Sequence, residues 1–281
     1  MPTFLHGPHR IAYTEHGSGE RTVVLVHGLL FNQKLMTPLA EHLGRRGYRV
    51  VTLDLLGHGA SDRPREMWSY SMTAFGEQVI GLLDHLEVEQ AVVGGLSLGA
   101  NTALEAAAFA PDRVCGLIVE MPVLDHALIG CAVAFTPLML ALTVGEPVMR
   151  VVSAVTRRIP TGTPALAPVD VALDWVRQDP RPSGALLQGL FFARVAPPSR
   201  VRRTLRQPTL VIGHRRDPIH PFTDAGALAE ELPNARLVEA GSILEMRLAP
   251  KRLTREVKTF LQQVWPADGE AAPAAASSSA A

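Results

Sequence analysis

The sequence has no net charge: lysines plus arginines number 27, and so do aspartates plus glutamates. No overall field therefore gathers nucleic acid or an acidic membrane surface. Cysteine is nearly absent. Cys115, in an apolar strand-like run, and Cys131, in an uncharged stretch, lack the spacing of metal ligands and read as buried free thiols, which fits a cytoplasmic location. The N-terminal MPTFLHGPHRIAY shows no basic region followed by an apolar core and a small-residue cleavage site, so no secretory signal is expected there. Charge is missing altogether from residues 127–145, nearly the length of a membrane span. Gly130 and Pro137 interrupt that run, and a lone span at this point would split the sheet inferred below, so a buried or substrate-facing pair of helices is expected instead.

What is present is ample material for a core. With 47% hydrophobic and 19% charged residues over 281 positions, the chain can form one large α/β domain with an insertion. Apolar runs at 22–26, 49–53, 91–93, 114–119, 209–213 and 236–238 read as strands, and residues 1–19 as a hairpin region with a possible strand over 10–14. Helix candidates fall between the strands, at 35–46 and over Phe75, Val79, Leu82, Leu83 and Leu86 behind Ser71 or Thr73 as N-cap. Such alternation predicts right-handed crossovers, a mostly parallel sheet and a ligand site at the carboxyl ends of the strands. The pattern breaks between 122 and 206, read as a helical lid. Residues 1–121 and 207–265 are expected to form the core, and 266–281, rich in alanine and serine, a disordered tail. Five arginines from Arg194 to Arg206 read as a solvated face rather than a site for acidic substrates.

The chemistry centres on residues 90–111. A short buried strand runs into Gly95-Leu96-Ser97-Leu98-Gly99, followed by a small-residue helix. This is the G-x-S-x-G spacing of a nucleophile elbow, in the strand-turn-helix context that gives it meaning. The glycines permit close backbone approach, and the turn lifts the serine hydroxyl to a helix N-terminus, where free amides favour developing negative charge. Upstream lie the His27-Gly28-Leu29-Leu30 turn and the loop DLLGHGASDRP of residues 54–64.

With these three features in order, the chain resembles the α/β-hydrolase superfamily over residues 7–263, in the branch of lidded esterases, cofactor-free haloperoxidases and C–C bond hydrolases. The resemblance implies an α/β-hydrolase fold with helices on both faces of the sheet and an inserted helical lid. It makes Ser97 the nucleophile, and the backbone amides of Leu29 and Leu98 the oxyanion hole. It gives Asp217, in the loop HRRDPIHP after the 209–213 strand, the place of the orienting carboxylate. His27 and His58 are expected to support their loops and not to act as bases. No metal or organic cofactor is implied, and the expected ligand is a small apolar molecule under the lid, with neither nucleic acid nor a membrane span.

The pattern fails at one position. After the 236–238 strand the family shows Gly-His, where this chain has Gly241-Ser242, and no histidine follows His220. Serine is no base near neutral pH, and an unassisted Ser97 would be a poor nucleophile. Three readings remain open. Another histidine substitutes, with His220 the best placed, His214 and His126 behind it, and Asp217, Asp125 or Glu245 orienting it. Alternatively the oxyanion hole polarises a carbonyl for isomerisation, cyclisation or addition. In the third reading the protein binds an apolar molecule without turnover.

Overall fold

The computed structural model describes residues 1–159, 173 and 176–266. Eight strands make one sheet in the order β1-β2-β4-β3-β5-β6-β7-β8. They are β1 (Thr3–His6), β2 (His9–His16), β3 (Arg21–Val26), β4 (Tyr48–Leu53), β5 (Ala91–Leu96), β6 (Val114–Glu120), β7 (Thr209–Gly213) and β8 (Ala235–Glu239). The first two form the antiparallel hairpin edge, and from β4 to β8 every pairing is parallel. The central strands are nearly continuous in valine, leucine and isoleucine because helices cover both faces. One face packs on α2 (Met72–His85), α3 (Leu98–Phe109) and α8 (Phe222–Glu231), burying Phe75, Val79, Leu104 and Leu228. The other packs on α1 (Thr37–Gly44), the short α9 (Glu245–Leu248) and α10 (Lys251–Val264), burying Leu43, Met246, Leu253, Val257 and Phe260. Ser71 caps α2, its hydroxyl accepting from the Ala74 amide at 3.1 Å.

Parallel strands deliver their outgoing loops to one edge, so the turns after Val26, Leu53, Leu96, Glu120, Gly213 and Glu239 cluster there. Between β6 and β7 the described residues are helical: α4 (Ala127–Thr143), α5 (Glu146–Thr156), α6 (Pro180–Phe192) and the short α7 (Ser199–Arg202). The uncharged run is thus one long helix that tolerates Pro137, rather than a pair. Its start is tied down by Asp224 of α8, fully buried, whose carboxylate accepts from the amides of Leu124 (2.7 Å), His126 (3.1 Å) and Ala127 (3.0 Å) and faces His126 Nδ1 at 2.8 Å. A carboxylate at that point satisfies donors that a helix leaves free at its N-terminus.

The arginine-rich stretch departs from a purely solvated face. Arg194 forks onto Glu105 of α3 at 3.0 and 2.7 Å. Arg202 is buried against Glu231 and the Pro197 carbonyl, while Arg200, Arg203 and Arg206 are exposed. A planar guanidinium can leave water when a carboxylate matches its fork, which charge density in a sequence does not disclose. Both cysteines are half-buried and unpaired with each other. The expectation of a disordered tail concerns residues that, from 267 on, lie outside those described.

Candidate active site

Ser97 joins β5 to α3 with φ 54° and ψ −110°, a backbone conformation that non-glycine residues seldom hold and that surrounding structure must enforce. Two glycines enforce it. A Cβ on Gly95 would sit 2.5 Å from the Val26 carbonyl oxygen, and one on Gly99 only 2.2 Å from it. The elbow is therefore pressed against the end of β3, and the Ser97 amide is held by the Glu120 carbonyl at 2.9 Å. Leu98 opens α3, so its amide belongs to the first turn, where donors have no intrahelical acceptor. Across the sheet edge, Leu29 stands in a turn closed by Phe31 N–H to the Gly28 carbonyl at 3.2 Å, and Leu30 takes a φ of 67°.

His27 and His58 are occupied elsewhere. His27 is fully buried, with Nδ1 2.8 Å from the Gly28 carbonyl and Nε2 accepting from the Leu55 amide at 3.2 Å. His58, also fully buried, places Nδ1 3.1 Å from the Leu56 carbonyl. Burial lowers both pKa values, His58 well below the ordinary histidine range, so both rings are neutral at neutral pH. Asp54 ties this region together, accepting from Gln33 N–H (2.7 Å), Gln33 Nε2 (2.9 Å) and Ala60 N–H (2.9 Å).

The loop after β7 reaches the elbow. His220 Nε2 lies 2.8 Å from Ser97 Oγ, and His220 Nδ1 lies 2.7 Å from Asp217 Oδ2. The other Asp217 oxygen accepts from the amides of Ile219 (2.8 Å) and His220 (3.0 Å), so one carboxylate folds the loop and faces the ring. Burial by itself raises the Asp217 pKa. The bonds from the His220 ring and the two amides outweigh it and hold the acid down at about 2. His214, buried in the same loop, has Nε2 3.1 Å from Asp217 Oδ2, outside hydrogen-bonding geometry and with no other partner among the described residues. Its pKa is lowered by burial, against the pull of Asp217.

The remaining sequence candidates are elsewhere. His126 faces Asp224, Asp125 is exposed, and Glu245 is engaged by Arg252 at 2.8 Å and by the Gly241 amide. Ser242 is exposed in the loop after β8. Among the described residues, no three His, Cys, Asp or Glu side chains are grouped as a metal site.

A cavity of about 340 Å³ opens over Ser97 and His220, walled by apolar residues that include Met72, Phe135, Leu187 and Phe191. Asn101 also lines it, but its amide is used up: Nδ2 donates to the carbonyls of Val123 (2.7 Å) and Val195 (2.6 Å), and Oδ1 accepts from the Val123 amide (3.1 Å). Cys131 lines it as well, and burial pushes its thiol up to about 11, which leaves it protonated at neutral pH. Helix α4 crosses close above the β7 loop, since a Cβ on Gly130 would lie 2.9 Å from the Pro218 carbonyl oxygen. Asp224, which fixes the start of α4, was not among the residues singled out from sequence. Its partners lie about a hundred positions away, and no local pattern marks it.

Comparison with known proteins agrees with this architecture. The family model described as alpha/beta hydrolase fold matches residues 21–137. The uncharacterized hydrolase YugF of Bacillus subtilis is 37% identical over 105 residues, 36% of this chain and 37% of that protein. Epoxide hydrolase B of Mycobacterium tuberculosis is 34% identical over 109 residues, 38% of this chain and 31% of that one. The chain thus spans about a third of the length of the curated relatives it matches. Among solved structures, the enol-lactonase from Burkholderia xenovorans LB400 superposes with a TM-score of 0.74 at 23% identity, over 93% of this chain and 100% of that one. Residues 21–137 thus match the alpha/beta hydrolase fold in sequence, and across nearly its whole length the chain has the α/β-hydrolase fold.

Proposed function

We propose that the protein is a serine hydrolase acting on an ester or lactone with an apolar acyl part, using Ser97 as nucleophile, His220 as base and Asp217 to orient the base. The observation that carries this reading is the continuous series Asp217 to His220 to Ser97, with contacts of 2.7 and 2.8 Å. A base must lie within about 2.6–3.2 Å of the atom whose proton it removes, as His220 Nε2 does of Ser97 Oγ, and the Asp217 contact is short enough to orient the ring. Ser97 Oγ attacks the substrate carbonyl carbon while His220 Nε2 takes its proton. Asp217, ionised at neutral pH, stabilises the imidazolium and keeps its Nδ1 as the donor. The tetrahedral oxyanion falls to the amides of Leu98 and Leu29, and one such donor is worth about 3–4 kcal/mol. His220 then protonates the departing alkoxide, leaving an acyl group on Ser97. A water deprotonated by the same nitrogen hydrolyses that acyl-enzyme.

The helices between β6 and β7 act in this reading as a lid, with α4 and α6 supplying the apolar wall against the acyl chain. With Asn101 committed to backbone carbonyls, selectivity rests on apolar burial, worth about 0.8 kcal/mol per methylene. Esters of p-nitrophenol graded by acyl length test it. kcat/KM should rise from acetyl towards medium-length chains in the wild type and vanish for every ester in Ser97→Ala. Equal turnover of short polar and longer apolar esters would remove the apolar preference, and undiminished turnover in Ser97→Ala would remove the nucleophile.

A further inference from the structure

Helix α4 is capped from outside. Its N-cap residue, His126, makes no side-chain capping bond among the described residues, and its first turn holds no acidic residue. The free amides there are taken by Asp224 of α8, whose side chain is 0% exposed. Asp224 Oδ2 accepts from the Leu124 and Ala127 amides at 2.7 and 3.0 Å. Oδ1 accepts from the His126 amide at 3.1 Å and faces the His126 ring Nδ1 at 2.8 Å. A carboxylate taken wholly out of water is costly unless donors surround it, so its place and the start of α4 are fixed together.

Both sides of this tie bear on the cavity. After the anchor, Leu128, Cys131, Ala132 and Phe135 follow the i, i+3, i+4, i+7 spacing of one helix face and line the cavity over Ser97. Asp224 itself stands four residues after His220, on the helix that continues from the base loop. Between the two, α4 lies against that loop, since a Cβ on Gly130 would come 2.9 Å from the Pro218 carbonyl oxygen. The far end of α4 rests on α6, where a Cβ on Gly184 would lie 3.3 Å from the Leu142 carbonyl oxygen. The end of α4 that walls the cavity is therefore held by the Asp224 cap and by the bare approach at Gly130.

We infer that Asp224 is a positioning residue for substrate selection: by capping α4 from outside, it sets the height of the apolar wall over Ser97 and with it the preference for longer acyl chains. This rests on the proposed reading of α4 as the acyl wall. Asp224→Asn is nearly isosteric but puts an NH2 in place of one carboxylate oxygen. Turned either way, that NH2 meets a backbone N–H, of His126 on one side or of Leu124 and Ala127 on the other, so one side of the anchor is lost. Gly130→Ala removes no hydrogen bond and pushes α4 off the Pro218 carbonyl instead.

The experiment takes two readouts on the full chain. One is the Kd of N-phenyl-1-naphthylamine, a neutral apolar fluorophore, and the other is kcat and KM for the acetyl and octanoyl esters of p-nitrophenol. In both variants the probe should bind about tenfold more weakly than in wild type, the worth of contact with about two methylenes. The octanoyl ester should lose about tenfold in kcat/KM relative to the acetyl ester, through KM. A merely structural loss would instead lower kcat for both esters alike, in proportion to the protein unfolded. If Asp224→Asn does not fold, Gly130→Ala carries the test alone. Equal probe affinity in wild type and the folded variants, or no probe binding by wild type, overturns the inference whatever the turnover. Weaker probe binding in the variants, with no ester turnover in wild type, upholds the anchor and removes the Ser97 chemistry instead.

Discussion

Two neighbouring loops leave the same sheet edge after adjacent parallel strands and have opposite fates. The loop after β7 folds back onto the elbow, with the Asp217 and His220 side chains only 4% and 15% exposed. The loop after β8, where the family resemblance places a histidine, carries Ser242, Ile243 and Leu244 in the open. Its one carboxylate, Glu245, is bound to Arg252 and to the Gly241 amide. The difference lies in what ties each loop down. Asp217 gives one oxygen to two loop amides and the other to the His220 ring, so folding the loop also aims the imidazole. Place in the chain matters less than which loop is held against Ser97, and in the proposed mechanism a base and its orienting acid come from one turn.

The comparison breaks most sharply at Ser97, the proposed nucleophile. Ser97→Ala should lower ester turnover by a factor on the order of 10⁴ or more, measured as kcat at saturating substrate. His220→Ala should cost on the order of 10² to 10⁴ with an unchanged circular dichroism spectrum, since proton transfer contributes that much. Adding Ser242→His to His220→Ala should restore nothing, because that position is exposed in a loop not folded onto Ser97. Recovery in the double variant would mean that the β8 loop can reach the site. Asp217→Asn should cost up to about 10⁴ in kcat by favouring the wrong tautomer of His220, with KM changed little.

The smallest effect is on acid stability. Asp217 has a folded pKa of about 2, below its ordinary 3.8. A carboxylate whose pKa is depressed on folding stabilises the fold above the unfolded value and loses that contribution as pH falls through the folded one. The gap in urea midpoint between wild type and Asp217→Asn should therefore be steady above about pH 4 and close as the pH falls towards 2. A gap that widened with acid would give the wrong sign.

Much of the fold was legible because its signals are local. The apolar runs of β3 to β7 and the Gly95-x-Ser97-x-Gly99 turn are set by neighbours in sequence, and Asp217 stands directly after a strand. The three-residue offset from Asp217 to His220 could be read too, though whether so short a spacing lets the carboxylate hold the ring could not. That depends on the two amide bonds to Asp217 Oδ1, which tip the turn, and on β7 lying two strands from β5. Asp224, Asn101 and the Arg194–Glu105 pair were out of reach for a related reason: each joins positions about a hundred residues apart and leaves no periodicity behind. The length of α4 was misjudged because Pro137 reads as a breaker, whereas a helix that packs on α6 tolerates it.

The central claim is that His220 activates Ser97, and the direct measurement is the rate at which a fluorophosphonate modifies Ser97, located by peptide mass spectrometry, in wild type and in His220→Ala. The account predicts modification of the peptide carrying Ser97 in wild type, with a rate lower by about 10²-fold or more in the variant. Equal labelling rates in the two proteins, or labelling of wild type at a residue other than Ser97, would contradict it.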